Sequence, residues 1–570
     1  MFLKKNATRI AVFAAVFGFV GAAQAHGQSL LAVGTLDQSR DGSFVDVSGL
    51  TYPLENGVRA NELGGFGSAI TYAGGNTFLA LPDRGPNAVE FDDAIDSTAS
   101  YINRFHTISM DLAPAPAGSA LPYTLTPTLR QTTLLWSLTP LVYGSGAGLG
   151  VGPGAPKLNN FLQHFFTGRS DNFNPNKNSG DPNDARFDTE GMRMSNDGRF
   201  IYISDEYGPY VYEFDRLLGV RLRSFQLPSD FYVTHLSPMG ATEIAGNVSG
   251  RVANKGMEGL AITPDGRTLV GIMQNALIQD ANEGGQAANL LRMVTIDIAS
   301  GRVTHQFGYL LTAGTGVSEL IALNEHEFLV DERDGHGRAN ADKAKVKQLF
   351  KIDLDGAVDI SEMDGTTAAT HPVSKTLFLD IVAVLTANGI SASNIPAKIE
   401  GLAFGPDLKQ GKSVTHTLWV ANDNDFLETV PDSNGNMIPN PNQFFVFGFT
   451  DADLAGSQFV PQQIRTFPSF PWYLGSFCSI KIFPGCTAAM GNIFHACCRC
   501  LSGAPPPGKK SHRTMGLVPH ILGIYIPFNK CLFGYKNRGI FLEKKMQKKM
   551  QKSRFFLLGS PLYTQTTPPA

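Results

Sequence analysis

No cysteine precedes Cys478 in this 570-residue chain, and all six (Cys478, Cys486, Cys497, Cys498, Cys500 and Cys531) crowd into its last part. The body therefore folds without disulfides, whatever compartment receives it. No G-x-S-x-G elbow occurs, which argues against a serine α/β-hydrolase. His106, His164, His235, His305, His326, His336, His371 and His416 show no H-E-x-x-H or similar metal-ligand spacing. His336, just after Glu332-Arg333-Asp334, is the best placed of them. Residues 144–154 have Gly at every second position. That is not the G-x-G-x-x-G of a dinucleotide site, and no strand-then-helix context surrounds it, so a flexible loop is expected rather than a phosphate cradle. Long apolar runs are missing too. Residues 517–535 are broken by Pro519, His520, Pro527, Asn529 and Lys530 and make a poor membrane span.

Residues 1–25 read as an export leader. Lys4, Lys5 and Arg9 form its charged start, residues 10–20 its apolar core, and Ala23-Gln24-Ala25 a small-residue cleavage site that leaves His26 first. That core is about half of the roughly 20 residues a span needs, so no membrane span is expected after leader removal. The mature protein is expected to be exported, periplasmic or extracellular.

Charge is split unevenly. Residues 467–570 hold 14 of the 47 Lys and Arg but only one of the 50 acids, Glu543. The remainder is strongly acidic, which disfavours nucleic acid as a partner, since phosphate binding needs clustered Lys and Arg. The domain is expected over residues 26–465. Residues 466–570, with their cysteines, Lys runs and Pro505-Pro506-Pro507, are expected to be disordered or foreign to the fold. The functional alternative for that tail is a basic binding arm. His495-Ala496-Cys497-Cys498-Arg499-Cys500 offers zinc-ligand types but lacks the paired C-x2-C spacing of a zinc finger.

What the body does contain is a recurring hairpin phrase with a carboxylate at each end. Glu190-Gly191-Met192-Arg193-Met194 leads through Asn196-Asp197-Gly198 to residues 200–206, which end in Ser204-Asp205-Glu206. Glu258-Gly259-Leu260-Ala261-Ile262 leads through Pro264-Asp265-Gly266 to residues 268–272. Glu400-Gly401-Leu402-Ala403-Phe404 leads through Gly405-Pro406-Asp407 to residues 418–423, which end in Asn422-Asp423. Looser copies begin at Glu319, ending in Glu332-Arg333-Asp334, and at Gly67, ending in Asp83-Arg84-Gly85-Pro86-Asn87. Each is two short β runs joined by a Gly-, Pro-, Asp- or Asn-rich turn, the pattern of an antiparallel hairpin. A hairpin returns its last residue beside its first, so these acids should share one rim. Repeats that cannot bury a hydrophobic face alone close naturally by radial repetition. The expected fold is all-β, a β-propeller of repeated hairpin or blade units with long inter-strand loops. The first or a closing strand is expected within residues 26–46, a long surface loop over 159–188, a helix over 374–388 and a short helical turn over 341–347.

Taken in order, Asp83-Arg84-Gly85-Pro86-Asn87, residues 188–209, Asn254 to Leu260, and Lys398 to Leu402 with Asn422-Asp423-Asn424-Asp425 resemble the phytase-like family, often labelled "esterase-like activity of phytase". Glu332-Arg333-Asp334 looks like a fifth family element. The resemblance covers about residues 50–449. It implies an exported propeller acting on ester or phosphoester substrates, and supplies no assigned catalytic set.

The residues suggest their own chemistry. Crowded carboxylates must raise their pKa values or bind cations, and hard oxygen ligands suit Ca²⁺. Glu190, Glu258, Glu400, Asp423 and Asp425 are the candidate metal ligands. Asp83, Arg84, Glu190, Asp205, Glu206, Glu332 and Arg333 are the candidate catalytic residues, with Arg84 and Arg333 able to hold an anionic substrate in a bidentate contact. Two functions compete. One is metal-assisted hydrolysis of a small phosphoester or carboxylester at the acidic mouth. The other is a non-catalytic propeller that binds a ligand or protein there, with Tyr207 and Tyr210 suiting either. A structural role for each Glu-Gly pair also stands: the Glu accepting backbone amides, and the Gly allowing close strand approach.

Overall fold

A computed structural model of the chain describes residues 27–36, 45–86, 92–144, 154–208, 211–340 and 342–465. The leader, His26, Asn87, most of the Gly-rich 144–154 stretch, Tyr210, all six cysteines and the tail lie outside the described residues.

Four four-stranded antiparallel sheets and a fifth, in which the short strand Leu408–Gln410 also pairs with Ser413–Asn422, form a five-bladed β-propeller. Blade 1 runs Ala69–Gly74, Thr77–Leu81, Arg104–Pro114 and Tyr123–Leu134. Blade 2 runs Thr189–Met194, Phe200–Asp205, Val211–Asp215 and Arg221–Phe225. Blade 3 runs Met257–Ile262, Thr268–Met273, Leu290–Asp297 and Arg302–Leu310. Blade 4 runs Gly316–Ala322, Glu327–Arg333, Lys347–Asp353 and Ser374–Asp380. Blade 5 runs Ile399–Phe404, Ser413–Asn422 and Asn442–Phe449, and takes its outermost strand, Ser29–Leu36, from the other end of the chain. Ser29 pairs with Gly448 and Leu36 with Asn442. The expected strand in residues 26–46 is thus a closing strand that ties first and last segments into one ring.

Each repeated phrase supplies the two inner strands of one blade, and the outer two come from the connecting segments. Apolar residues on both faces of each blade meet those of the next. One buried layer fills each of the five interfaces, such as Phe166, Phe187, Met192 and Phe214 between blades 1 and 2, and Leu329, Leu349, Leu402 and Phe447 between blades 4 and 5. The Gly of the phrase permits this approach. A Cβ on Gly191 would stand 2.6 Å from the Cβ of Leu260 on blade 3.

Three expectations are corrected. The segment expected as a helix over 374–388 is a strand, Ser374–Asp380, followed by a helix, Ile381–Ala387. The Asp380 side chain caps that helix by accepting from the Ala383 amide at 2.9 Å, so the switch falls where a capping residue stands. Residues 342–346 form no helix, and Lys347 opens a strand. The expected surface loop over 159–188 has little regular structure, but Thr167, Arg169, Asn172 and Phe187 in it are fully buried. It packs against blades 1 and 2 as part of the body.

Candidate functional site: an acidic mouth with four bases

Inner strands begin, and second strands end, at the same end of the ring. There they enclose a cavity of about 190 Å³. Two sets of side chains line it. Ser68, Glu190, Glu258 and Glu400 come from the starts of inner strands, and Asp83, Glu206, Gln274, Arg333 and Asp423 from the ends of second strands, one per blade. Arg84, Asn254, Lys255 and Lys398 complete the wall from the adjoining loops.

Strand alternation decides which of two consecutive candidates faces the cavity. Thr189 pairs with Asp205, Val317 with Glu332 and Ile399 with Asn422, so the next residue of each second strand, Glu206, Arg333 or Asp423, turns to the mouth. Asp205 turns into the blade, where it accepts the amides of Asp188 and Tyr207 at 3.0 Å each. Glu332 also turns away. It accepts from the Tyr309 hydroxyl at 2.7 Å, from the Ala313 amide at 2.9 Å and from Lys375. Burial would raise the Glu332 pKa, but Lys375 and these donors outweigh it and hold the carboxylate below its usual range. Asp205 and Glu332 therefore do not line the cavity. Glu319 sits one residue beyond its apparent counterparts. Ser318 occupies the equivalent position, accepting from Arg333, while Glu319 pairs with Arg193 at 2.9 Å beneath the mouth.

Bases neutralise one side of the mouth. Arg333 bonds Glu400 and reaches Glu258 at 3.9 Å. Lys398 bonds Asp423 at 3.0 Å and also Asp425. Arg84 bonds Asp188 at 2.8 Å and the Asn254 side chain, and Lys255 bonds Gln274 at 2.6 Å. The other side is carboxylate-rich. Ligand atoms of Asp188, Glu190 and Glu206 lie within 4.8 Å of one another, and Glu258 lines the cavity beside them. Burial, then the Glu258 charge, pushes the Glu190 carboxyl well above its usual range. Burial, then the Glu206 charge, does the same to Glu258, and burial with Asp188 raises Glu206. Burial with Asp423 likewise raises Asp83. Burial pushes Glu400 up to about 7 against the pull of Arg333.

These acids fit a hard cation. Glu206 Oε1 and Glu258 Oε2 are buried with no hydrogen-bond partner, and oxygen donors of this kind suit Ca²⁺. The second acidic group, Asp83, Asp423 and Asp425, also has ligand atoms within 4.8 Å of one another, but Lys398 already sits on two of its three members. Of the candidate metal ligands, the cavity gathers Glu190, Glu258, Glu400 and Asp423, with Asp425 behind Lys398. Asp188, Lys255 and Lys398 were not among the sequence candidates. Asp188 and Lys398 each stand two residues before a mouth glutamate, and that two-residue period was the available signal.

Residues 61–426 match the family model "Phytase-like: Esterase-like activity of phytase". The chain belongs to the phytase-like family. A relative described as an uncharacterized secreted protein, from Arthroderma benhamiae, is 33% identical over 183 residues, 27% of this chain and 35% of that protein. The chain thus spans about a third of the length of that curated relative. Among solved structures, the PQQ-bound aldose sugar dehydrogenase of Streptomyces coelicolor shares 12% identity, with 74% of this chain and 94% of that chain covered at a TM-score of 0.27. The periplasmic gluconolactonase of Pseudomonas aeruginosa shares 12%, with 66% and 87% covered at a TM-score of 0.27. Similarity at that level carries no argument about what this phytase-like chain does.

Proposed function

We propose that this phytase-like propeller is an exported hydrolase of small phosphoester or carboxylester substrates that works with a divalent cation, Ca²⁺ by its donor set, held at the mouth. The observation that carries the reading is the division of the mouth. Glu190, Glu206 and Glu258 form a carboxylate-rich side, with Asp188 held by Arg84 at its edge, facing bases on Lys255, Arg333 and Lys398. A bound divalent ion supplies Lewis-acid polarisation of a phosphoryl or carbonyl oxygen and lowers the pKa of water. The chain's own residues do the rest. Arg84 and Arg333 orient an anionic oxygen, with Asp188 and Glu400 fixing their guanidinium planes. Glu206 and Glu258, both pushed up by burial, are suited to taking and returning a proton. Export is supported by the secreted relative and by the leader-like first residues. Among the described residues no helix is long and apolar enough to cross a membrane.

The test is metal analysis of the purified protein, melts with Ca²⁺ and with chelator, and assays on phosphomonoester and acyl-ester substrates. A cation bound only to the native state stabilises it by about 2.7 kcal/mol at a hundredfold excess over Kd. Glu190→Gln should shrink that gain and reduce turnover together. A melt indifferent to chelator, with no metal and no turnover, would favour the non-catalytic binding propeller.

A further inference from the structure

A second cavity of about 200 Å³ lies behind Arg84 and shares Arg84 and Asn254 with the mouth. Its walls come from the loops around Asp96, Ser170, Tyr207 and Gly240. Most of its polar groups are already used. Ser170 Oγ donates to the carbonyls of Ile95 at 2.9 Å and Pro238 at 2.8 Å. Thr98 Oγ1 accepts the Ser170 amide at 2.8 Å, and the Tyr207 hydroxyl donates to the Gly168 carbonyl at 2.8 Å. Glu243 holds Arg186 at 3.3 Å and Arg251 at 2.6 Å, and Asp96 accepts the Gly240 amide at 2.5 Å.

What remains to meet a ligand is Pro238, the small residues Gly240 and Ala253, the Tyr207 ring, which the Arg186 guanidinium approaches to 5.1 Å, and at the boundary Arg84 Nε, buried with no hydrogen-bond partner. Gly240 is tightly bounded: a Cβ there would stand 3.2 Å from Asp96 Oδ2 and 3.4 Å from the Ala253 methyl. Two lining residues, Asp96 at φ 46° and Asn254 at φ 56°, hold left-handed backbone without being glycine.

We propose that this cavity is a second compartment of the site, and that it selects a compact uncharged group about the size of a six-membered ring. A cavity of roughly 150 Å³ is known to admit benzene. On the hydrolytic reading above, on which the ligand's identity rests, that group is the organic part of the ester, with Arg84 at the boundary between it and the reacting group.

The experiment uses the full chain and phenol as the probe, with binding read by saturation-transfer NMR. Ala253→Leu and Gly240→Val each fill the space, and a melt checks that each variant is folded. Phenol should bind the wild type and bind either folded variant at least about tenfold more weakly. The kcat/KM ratio for phenyl over methyl phosphate should fall by a similar factor. If phenol fails to bind the wild type, or binds both variants equally well, the compartment is refuted. It is equally refuted if inorganic phosphate, and not phenol, is the probe lost on filling the space, which would mark an anion site. If phenol binding behaves as stated and neither ester is turned over, the compartment stands and the hydrolytic reading falls.

Discussion

The same five inner strands end in opposite chemistry. At one end, Glu190, Glu258 and Glu400 crowd an open mouth in which two buried oxygens, Glu206 Oε1 and Glu258 Oε2, lack hydrogen-bond partners. At the other, Ile262, Ile321, Leu402 and Phe404 surround a small cavity of about 80 Å³, closed by Pro461 and Gln462. Gln462 donates to the Met194 carbonyl and to Asn196 Oδ1 at 2.7 Å each, and the Val460 amide donates to the Leu323 carbonyl at 2.8 Å. Between the ends lies the Arg193–Glu319 pair. Arg193 donates to the carbonyls of Ile70 at 3.1 Å and Leu320 at 2.8 Å, and Glu319 accepts the Leu260 amide at 3.1 Å, so the pair stitches blades 1 to 4 together. A well-packed lower end and a bonded middle layer can offset the repulsion of a crowded mouth.

Breaking the middle layer should have the largest effect. Glu319→Gln leaves the buried Arg193 guanidinium without its counter-charge, and should cost about 3–5 kcal/mol in urea unfolding. Adding Arg193→Met should recover most of that loss. A single-variant cost below about 1 kcal/mol would mean that the pair does not support the mouth.

Opening the lower end should come next. A chain ending at 465 should melt like the full chain. One ending at 457 loses Phe459, which packs on Phe404 and Phe449, and the Gln462 bonds, and should lose about 2–4 kcal/mol. If the two truncations melt alike, the segment is not a closure.

The mouth should respond with opposite signs in two conditions. Glu258 has a folded pKa raised by burial and then by Glu206. A carboxyl raised in this way is stabilising while protonated, and that contribution is lost as pH climbs from the unfolded value, 4.5, through the folded one. In chelator, Glu258→Gln should therefore stabilise the protein by about 1–2 kcal/mol near pH 8 and flatten the fall of stability with rising pH. In Ca²⁺ the same change should destabilise it, because a neutral amide is a poorer ligand. A variant with the same sign in both conditions would separate the crowding from any cation.

Much of this contrast was legible in the sequence. Three copies of the Glu-Gly phrase and two looser ones marked the five inner hairpins and the common rim, since period-two alternation and turn residues are local signals. Which of Asp205 and Glu206, or of Glu332 and Arg333, would face the cavity was not legible. A bulge in each inner strand shifts the pairing, and a one-residue slip exchanges the faces. The same slip hid the difference between Glu319 and the mouth glutamates. Residues 374–380 read as helix because their burial does not alternate: Leu377 is exposed while Phe378 and Leu379 are both buried, and only the pairing with Lys347–Asp353 makes the segment a strand. Arg193 gave one unread signal, a charge between Met192 and Met194 within an inner strand. The second compartment gave none, because its walls come from four separate loops.

Ser204 gives the smallest effect and the sharpest check on which mouth groups are chemical. It directly precedes the two acids Asp205 and Glu206, where a nucleophile would be sought. Its Oγ, however, is buried between strands, accepting the Gly191 amide at 2.8 Å and donating to the Glu258 carbonyl at 3.3 Å. Both bonds join blade 2 to itself and to blade 3, and neither faces the cavity. Ser204→Ala should cost about 1–2 kcal/mol for the unsatisfied amide and carbonyl. The Ca²⁺-dependent gain in melting temperature should stay intact, and so should any ester turnover per folded molecule, unlike the joint loss expected of Glu190→Gln. If turnover vanishes while the melt keeps its Ca²⁺ response, the hydroxyl takes part in the reaction, and the division between structural strand groups and reactive mouth groups has to be redrawn.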